Sequence, residues 1–96
     1  MQFNRQASKL NPQLAPAYFN KGNVLFNLKR YEEALASYDR ALAIQPDFAE
    51  TLSNRGNALF NLKRYEEALA SYDRALAIQP DFARALSNRE IGRAHV

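Results

Sequence analysis

The segment Asn27–Phe48 reads NLKRYEEALASYDRALAIQPDF, and the same 22 letters return unchanged from Asn61 to Phe82. The offset is 34 residues. A fixed period of about 20–50 residues marks a stacked array, in which one unit cannot bury its apolar face alone and neighbours supply the cover. Six further matches outside the identical block extend the period to full units: Ala15/Ala49, Asn20/Asn54, Gly22/Gly56, Asn23/Asn57, Leu25/Leu59 and Phe26/Phe60. The frame divides the chain into the end of a preceding unit (1–14), two units (15–48 and 49–82), the opening of a third (83–89) and a tail (90–96).

Each unit carries two helical patterns. Tyr18, Gly22, Leu25 and Leu28 are spaced by three and four residues, as are Tyr31, Ala34, Leu35, Tyr38, Ala41 and Leu42. Such spacing puts apolar groups on one face of a helix with about 3.6 residues per turn, whereas strands would need alternation. Only Lys29 and Arg30 separate the two patterns, so the helices must run antiparallel. Pro46 and Pro80 end the second helix of each unit. Asp47, with Glu50 three residues on, has the spacing of a capping box and is expected to open the next helix. Gly22 and Gly56 fall inside helices, where glycine costs about 1 kcal/mol against alanine. The expected compensation is close approach of a partner helix, with Ala34 and Ala68 as the other half of the contact.

These residues resemble the tetratricopeptide repeat (TPR) family. The match rests on Tyr18/Leu52, Gly22/Gly56, Leu25/Leu59, Tyr31/Tyr65, Ala34/Ala68, Tyr38/Tyr72, Ala41/Ala75 and Pro46/Pro80, and it covers most of the chain. The resemblance implies an all-α fold: antiparallel helix-turn-helix repeats stacked as a right-handed α-solenoid, here a fragment of a longer bacterial-type TPR array. Three departures stand out. Lys21, Arg55 and Arg89 occupy a position that is usually leucine in the family. Lys29 and Lys63 stand where the turn often has glycine, and Glu90 stands where the third unit should have glycine.

Composition excludes several function classes. The sequence pI of about 9.4 suggests nucleic acid, but the first unit sets Lys21, Lys29, Arg30 and Arg40 against Glu32, Glu33, Asp39 and Asp47. The second unit is slightly acidic, so the net charge of +3 comes from the flanks and no phosphate-tracking stripe is expected. There is no cysteine, hence no disulfide framework or thiolate metal site. No apolar run approaches the roughly 20 residues of a membrane span, and a cytoplasmic location is the default. The tail Ile91–Val96, IGRAHV, resembles the translation of a common sequencing adapter and is expected to be non-native. His95, the one histidine, lies within it and carries no functional weight.

With His95 set aside, no catalytic constellation, phosphate loop or metal motif remains, and neither enzyme activity nor a cofactor is expected. Glu32–Glu33 and Glu66–Glu67 are adjacent and diverge on a helix, where they suit a solvated N-terminal turn. The polar feature left over is asparagine. Asn20, Asn23 and Asn27 line one stripe of the first helix, Asn54, Asn57 and Asn61 repeat it, and Asn88 begins a third. Asparagine is a mediocre helix former, and an amide offers both donors and an acceptor. The resemblance implies that this helix lines a concave groove, so the stripe, flanked by Phe26 and Phe60 and joined by Arg84, is the candidate peptide-binding surface. A structural role for the same amides is the competing reading. Asn23, Asn54 and Arg84 fit parts of the family's clamp for a terminal carboxylate, but Phe19 and Asn88 stand where basic residues belong, so clamping is not expected.

The expected function is a non-catalytic protein–protein interaction scaffold that holds an extended protein or peptide segment in its groove. The alternative is a substrate-recruiting array of a larger enzyme, such as a glycosyltransferase resembling protein O-GlcNAc transferase. Self-association through uncapped repeat ends is a third expectation. The partner is expected to be neither nucleic acid nor membrane.

Overall fold

The computed structural model describes residues 11, 13–81 and 83–93, with the backbone alone at 83–85 and 92. The expectations placed on residues 1–10, on Pro12 and on His95 lie outside the described residues. Five helices follow one another: α1 Leu14–Asn27, α2 Tyr31–Ile44, α3 Ala49–Asn61, α4 Tyr65–Ile78 and α5 Ala83–Arg93. The fold is all-α, and no strand occurs among the described residues. α5 runs past Arg89, where the repeat pattern stops, and includes Glu90 and Ile91.

The turn between α1 and α2 is closed by two backbone bonds. The Arg30 N–H donates to the Leu25 carbonyl at 2.9 Å and the Lys29 N–H to the Phe26 carbonyl at 2.8 Å. This is a Schellman motif, which satisfies carbonyls the helix end would otherwise leave unpaired. It requires a left-handed residue, and Lys29 takes φ 64°. Lys63 repeats the angle, and the Lys63 and Arg64 N–H groups repeat the bonds, to the Phe60 and Leu59 carbonyls. A side chain there costs about 1 kcal/mol or more, so the departure from glycine has a measurable penalty.

After the turn, Arg30 holds Glu33 through two hydrogen bonds and Arg64 holds Glu67 in the same way. Glu32, Glu33, Glu66 and Glu67 are all exposed in first turns of helices, complementing the N-terminal dipole. The Arg64 guanidinium holds the Glu67 carboxyl below the usual carboxylate range.

The capping box at Asp47 does not form. The residue at the N-cap of α3 is Phe48, with no side-chain cap, and its carbonyl accepts the first helical bond from Leu52 at 3.1 Å. The reason is packing: the Phe48 ring lies 5.0 Å from the Phe19 ring and against the Leu42–Leu52 cluster. Anchoring that ring places the N-cap one residue after Asp47.

The glycine contact forms, but its partner differs from the expected alanine. A Cβ built on Gly22 would lie 2.5 Å from Cε1 and 2.6 Å from Cδ1 of Tyr38, and one on Gly56 would lie 2.7 Å from Cδ1 of Tyr72. The spacing identified a close approach and missed that an aromatic ring, not a methyl, fills it. Both rings are buried, Tyr38 and Tyr72 each being 1% exposed.

The joint between units is built from α2 against α3 and α4. Leu35 packs with Leu59, Ala68 and Tyr72, and Leu42 packs with Ala49, Leu52 and Ala75. Ser71 Oγ donates to the Leu52 carbonyl at 2.7 Å. Arg55 Nε donates to Asp39 Oδ1 at 2.6 Å across the joint, and Arg89 meets Asp73 at 3.3 Å across the next. These ion pairs account for arginine in a position that is elsewhere leucine. First helices of successive units touch, α1 with α3 and α3 with α5, while α2 and α4 meet chiefly through the Leu35 and Leu42 side chains. The first helices therefore line one face of the stack, called here the inner face.

Gly22→Ala and Gly56→Ala are each expected to destabilise by about 1–3 kcal/mol through overpacking against tyrosine, read as a fall in the urea midpoint. Lys29→Gly and Lys63→Gly should each gain about 0.5 kcal/mol, because relief of the left-handed strain exceeds the added freedom of the unfolded chain. An unchanged or lower midpoint for the double variant would count against strain at the turn.

Candidate functional site

The inner face carries a groove of about 310 Å³ lined by Asn23, Phe26, Asn27, Tyr38, Asn54 and Asn57. Five of these lie on the first helices α1 and α3, and the sixth rises from α2 between them. Tyr38 reaches the groove because Gly22 opens a path for its ring. Its hydroxyl donates to Asn23 Oδ1 at 2.6 Å, and Asn54 Nδ2 donates to the same oxygen at 2.9 Å. The Asn23 carbonyl thus has both lone pairs engaged, one within its unit and one across the joint. Tyr72 repeats the first bond, donating to Asn57 Oδ1 at 2.6 Å. Among the described residues no corresponding bond joins Asn88 to Asn57.

The remaining capacity of the floor is mostly donor in character. With the oxygens of Asn23 and Asn57 occupied by tyrosine, their Nδ2 groups present N–H bonds to whatever enters. Asn27 is exposed at the groove edge. Phe26 stands beside it, half-buried and edge-on to Tyr31 at 5.2 Å. Among the described residues no charged side chain lines this groove.

The other stripe residues are not gathered into this groove. Asn20 is exposed on α1, outside the lining. Asn61 is exposed, and its Nδ2 donates back to the Asn57 carbonyl at 2.9 Å along its own helix. Phe60 is edge-on to Tyr65 at 5.3 Å and packs on the Leu35–Leu59–Tyr72 cluster. Asn88 is half-buried on α5, and the side chain of Arg84 lies outside the described ones. Tyr38 is the groove residue that sequence reasoning assigned to the core alone. Its place on the apolar stripe gives no sign that its hydroxyl emerges on the inner face.

The hydrogen bonds alter one expectation directly. From the sequence, Asn23→Ala plus Asn57→Ala is expected to weaken peptide binding and leave melting nearly unchanged. Both amides accept buried hydroxyls, however, so their loss strands a polar group, at a cost of about 1–3 kcal/mol each. Burial pushes the Tyr38 hydroxyl up to about 12, with the Asn54 bond acting in the opposite direction, and burial raises Tyr72 as well. Both are therefore neutral donors at physiological pH.

Three family profiles match the sequence: one described as TPR repeat over residues 22–63, and two as tetratricopeptide repeat over residues 49–82 and 3–36. No match was found among curated protein sequences. Solved structures are similar throughout. The first TPR of Spaghetti (RPAP3), bound to the HSP90 peptide SRMEEVD, is 29% identical with a TM-score of 0.85, over 86% of this chain and 66% of that one. The second TPR of the same protein, with the same peptide, is 28% identical with a TM-score of 0.85, over 91% and 81%. The TPR2B domain of yeast Sti1, in a pHsp70 complex, is 26% identical with a TM-score of 0.82, over 83% and 64%. The chain thus spans about two thirds of the first of these relatives. Stacked antiparallel helix pairs with an inner groove define a helical repeat solenoid. The chain belongs to the tetratricopeptide repeat family.

Tyr38 stays protonated in the fold above pH 10, where it ionises when unfolded, so the native state binds more protons there. Its contribution is intact below about pH 10 and is lost as pH rises towards 12, at about 1.4 kcal/mol per unit. Urea midpoints at pH 7, 9 and 11 should fall only in the last interval. Tyr38→Phe should flatten that fall while lowering the midpoint at pH 7.

Proposed function

We propose that this chain is a non-catalytic interaction scaffold that holds an extended peptide segment in the groove between α1 and α3. The carrying observation is the donor character of the groove floor: Nδ2 groups of Asn23 and Asn57, with Asn27 at the edge, and no charged side chain among the described residues. Extended backbone offers carbonyl acceptors that such donors suit, and Phe26 gives an apolar wall for a side chain. The Spaghetti and Sti1 domains, captured with HSP90 peptide and in a pHsp70 complex, support peptide binding in this fold. The uncharged lining among the described residues argues against recognition of a terminal carboxylate, which relies on charged donors. Among the described residues, no group of three or more His, Cys, Asp or Glu could hold a metal, and no helix is long and apolar enough to cross a membrane.

Asn27 is the informative position, because it lines the groove with an exposed side chain. Asn27→Ala should weaken binding of array-selected extended peptides about fivefold, the worth of one hydrogen bond, with an unchanged melting temperature. Calorimetry on free-acid and C-terminally amidated forms of the same peptide should give equal affinities. A strong preference for the free acid, or indifference to Asn27→Ala, would refute the amide-groove reading.

A further inference from the structure

We infer that the segment this groove prefers is proline-rich, uncharged and in the polyproline II conformation, lying along α1, an inference that rests on the peptide-groove reading. Two properties of the floor carry it: the spacing of the aromatic rings and the occupation of the Asn23 acceptor.

The rings form two clusters on one row of α1. Phe19, Asn23 and Phe26 are separated by four and three residues, which places them on one face of the helix. Asn23 and Phe26 line the groove, and Phe19 continues the row beyond the lining. Phe19 is half-buried, with its ring 5.0 Å from that of Phe48 and 6.2 Å from that of Tyr38. Phe26 pairs instead with Tyr31, and both phenylalanines pack on the cluster that holds Tyr38. Seven residues of helix rise about 10.5 Å. A polyproline II segment advances about 9.3 Å in three residues, and residues i and i+3 fall on the same edge. A strand advances about 6.7 Å in two residues and about 13.4 Å in four, and its i and i+3 side chains point to opposite faces. The row therefore fits apolar side chains at i and i+3 of a polyproline II ligand and matches no same-face pair of a strand. In the second unit Ser53, fully buried, replaces Phe19, which confines the match to α1.

The polar groups agree with the spacing. The Tyr38 hydroxyl and Asn54 Nδ2 both donate to Asn23 Oδ1, so Asn23 offers the ligand donors alone. An ordinary extended segment would bring N–H groups that this amide cannot accept, and a buried unpaired donor is costly. Proline has no N–H. Polyproline II makes no internal hydrogen bonds, so its carbonyls are free to accept from Nδ2. A segment already in this conformation also docks on aromatic rings at low entropic cost.

The probe is a fluorescein-labelled, C-terminally amidated peptide of three Pro-Pro-Leu triplets, titrated with the full chain and read by anisotropy. The control has the same composition with its leucines two residues apart. The triplet peptide should bind saturably and about fivefold more tightly than the control, the worth of one displaced apolar side chain. Phe19→Leu, which keeps the position apolar, should reduce that preference to less than about twofold. A merely structural role for Phe19 would weaken both peptides alike and leave their ratio intact. Equal affinities for the two peptides, or a ratio unmoved by Phe19→Leu, would overturn the inference. Array-selected peptides that bind and are weakened by Asn27→Ala, with no saturation by the triplet probe, would overturn it and leave the groove reading standing. Failure of every extended peptide to bind would remove both.

Discussion

A tyrosine ring packed against a glycine is the contact on which the rest depends. Gly22 and Gly56 give up helix propensity so that Tyr38 and Tyr72 can cross from the second helix of each unit towards the inner face. The ring fixes the distance between the two helices, and its hydroxyl reaches the asparagine of the first helix. One residue thus sets packing and polar order together. In the first unit the network goes further, since Asn54 joins Asn23 from the next unit. Helix pairing, repeat stacking and groove polarity are coupled through one amide oxygen.

That coupling explains why the fold was more legible than the site. Periodicity and the 34-residue repeat located the helices, the turn and the antiparallel pairing, because these follow from which positions are apolar. They could not identify what lay on Gly22, since Ala34 and Tyr38 both fall on the apolar stripe of α2 and only the direction of each side chain separates them. The capping box at Asp47 failed for a similar reason. Spacing alone favoured the carboxylate, but the aromatic contact of Phe48 with Phe19 decided where the helix begins. The asparagine stripe was visible as a stripe. Its division into amides that hold tyrosines, one that bonds its own helix and one at the groove edge depends on neighbours that arrive from other helices.

The two units also show how identical sequence is given different work by position. α2 and α4 are the same fourteen residues, and each contributes an aspartate to the following first helix. The differences gather in the opening turns of α1 and α3, where Tyr18 becomes Leu52, Phe19 becomes Ser53 and Lys21 becomes Arg55. Those residues face the joint. Leu52 is fully buried under α2, while Tyr18 is half-buried and stacks with Arg40, whose guanidinium lies 5.4 Å from its ring.

The substitution of arginine for lysine is consistent with that division. At the inner joint the side chain must span to a fixed aspartate, and a planar guanidinium is well suited to a directed bond such as the one Arg55 makes. Lys21, in the same phase on α1, makes no such bond within its own described unit. The variable turns of the first helices therefore tune the joints, while the invariant second helices supply a constant surface. Specificity in this chain is concentrated in α1 and α3, whose inner stripes line the peptide groove and whose opening turns set the joint surfaces.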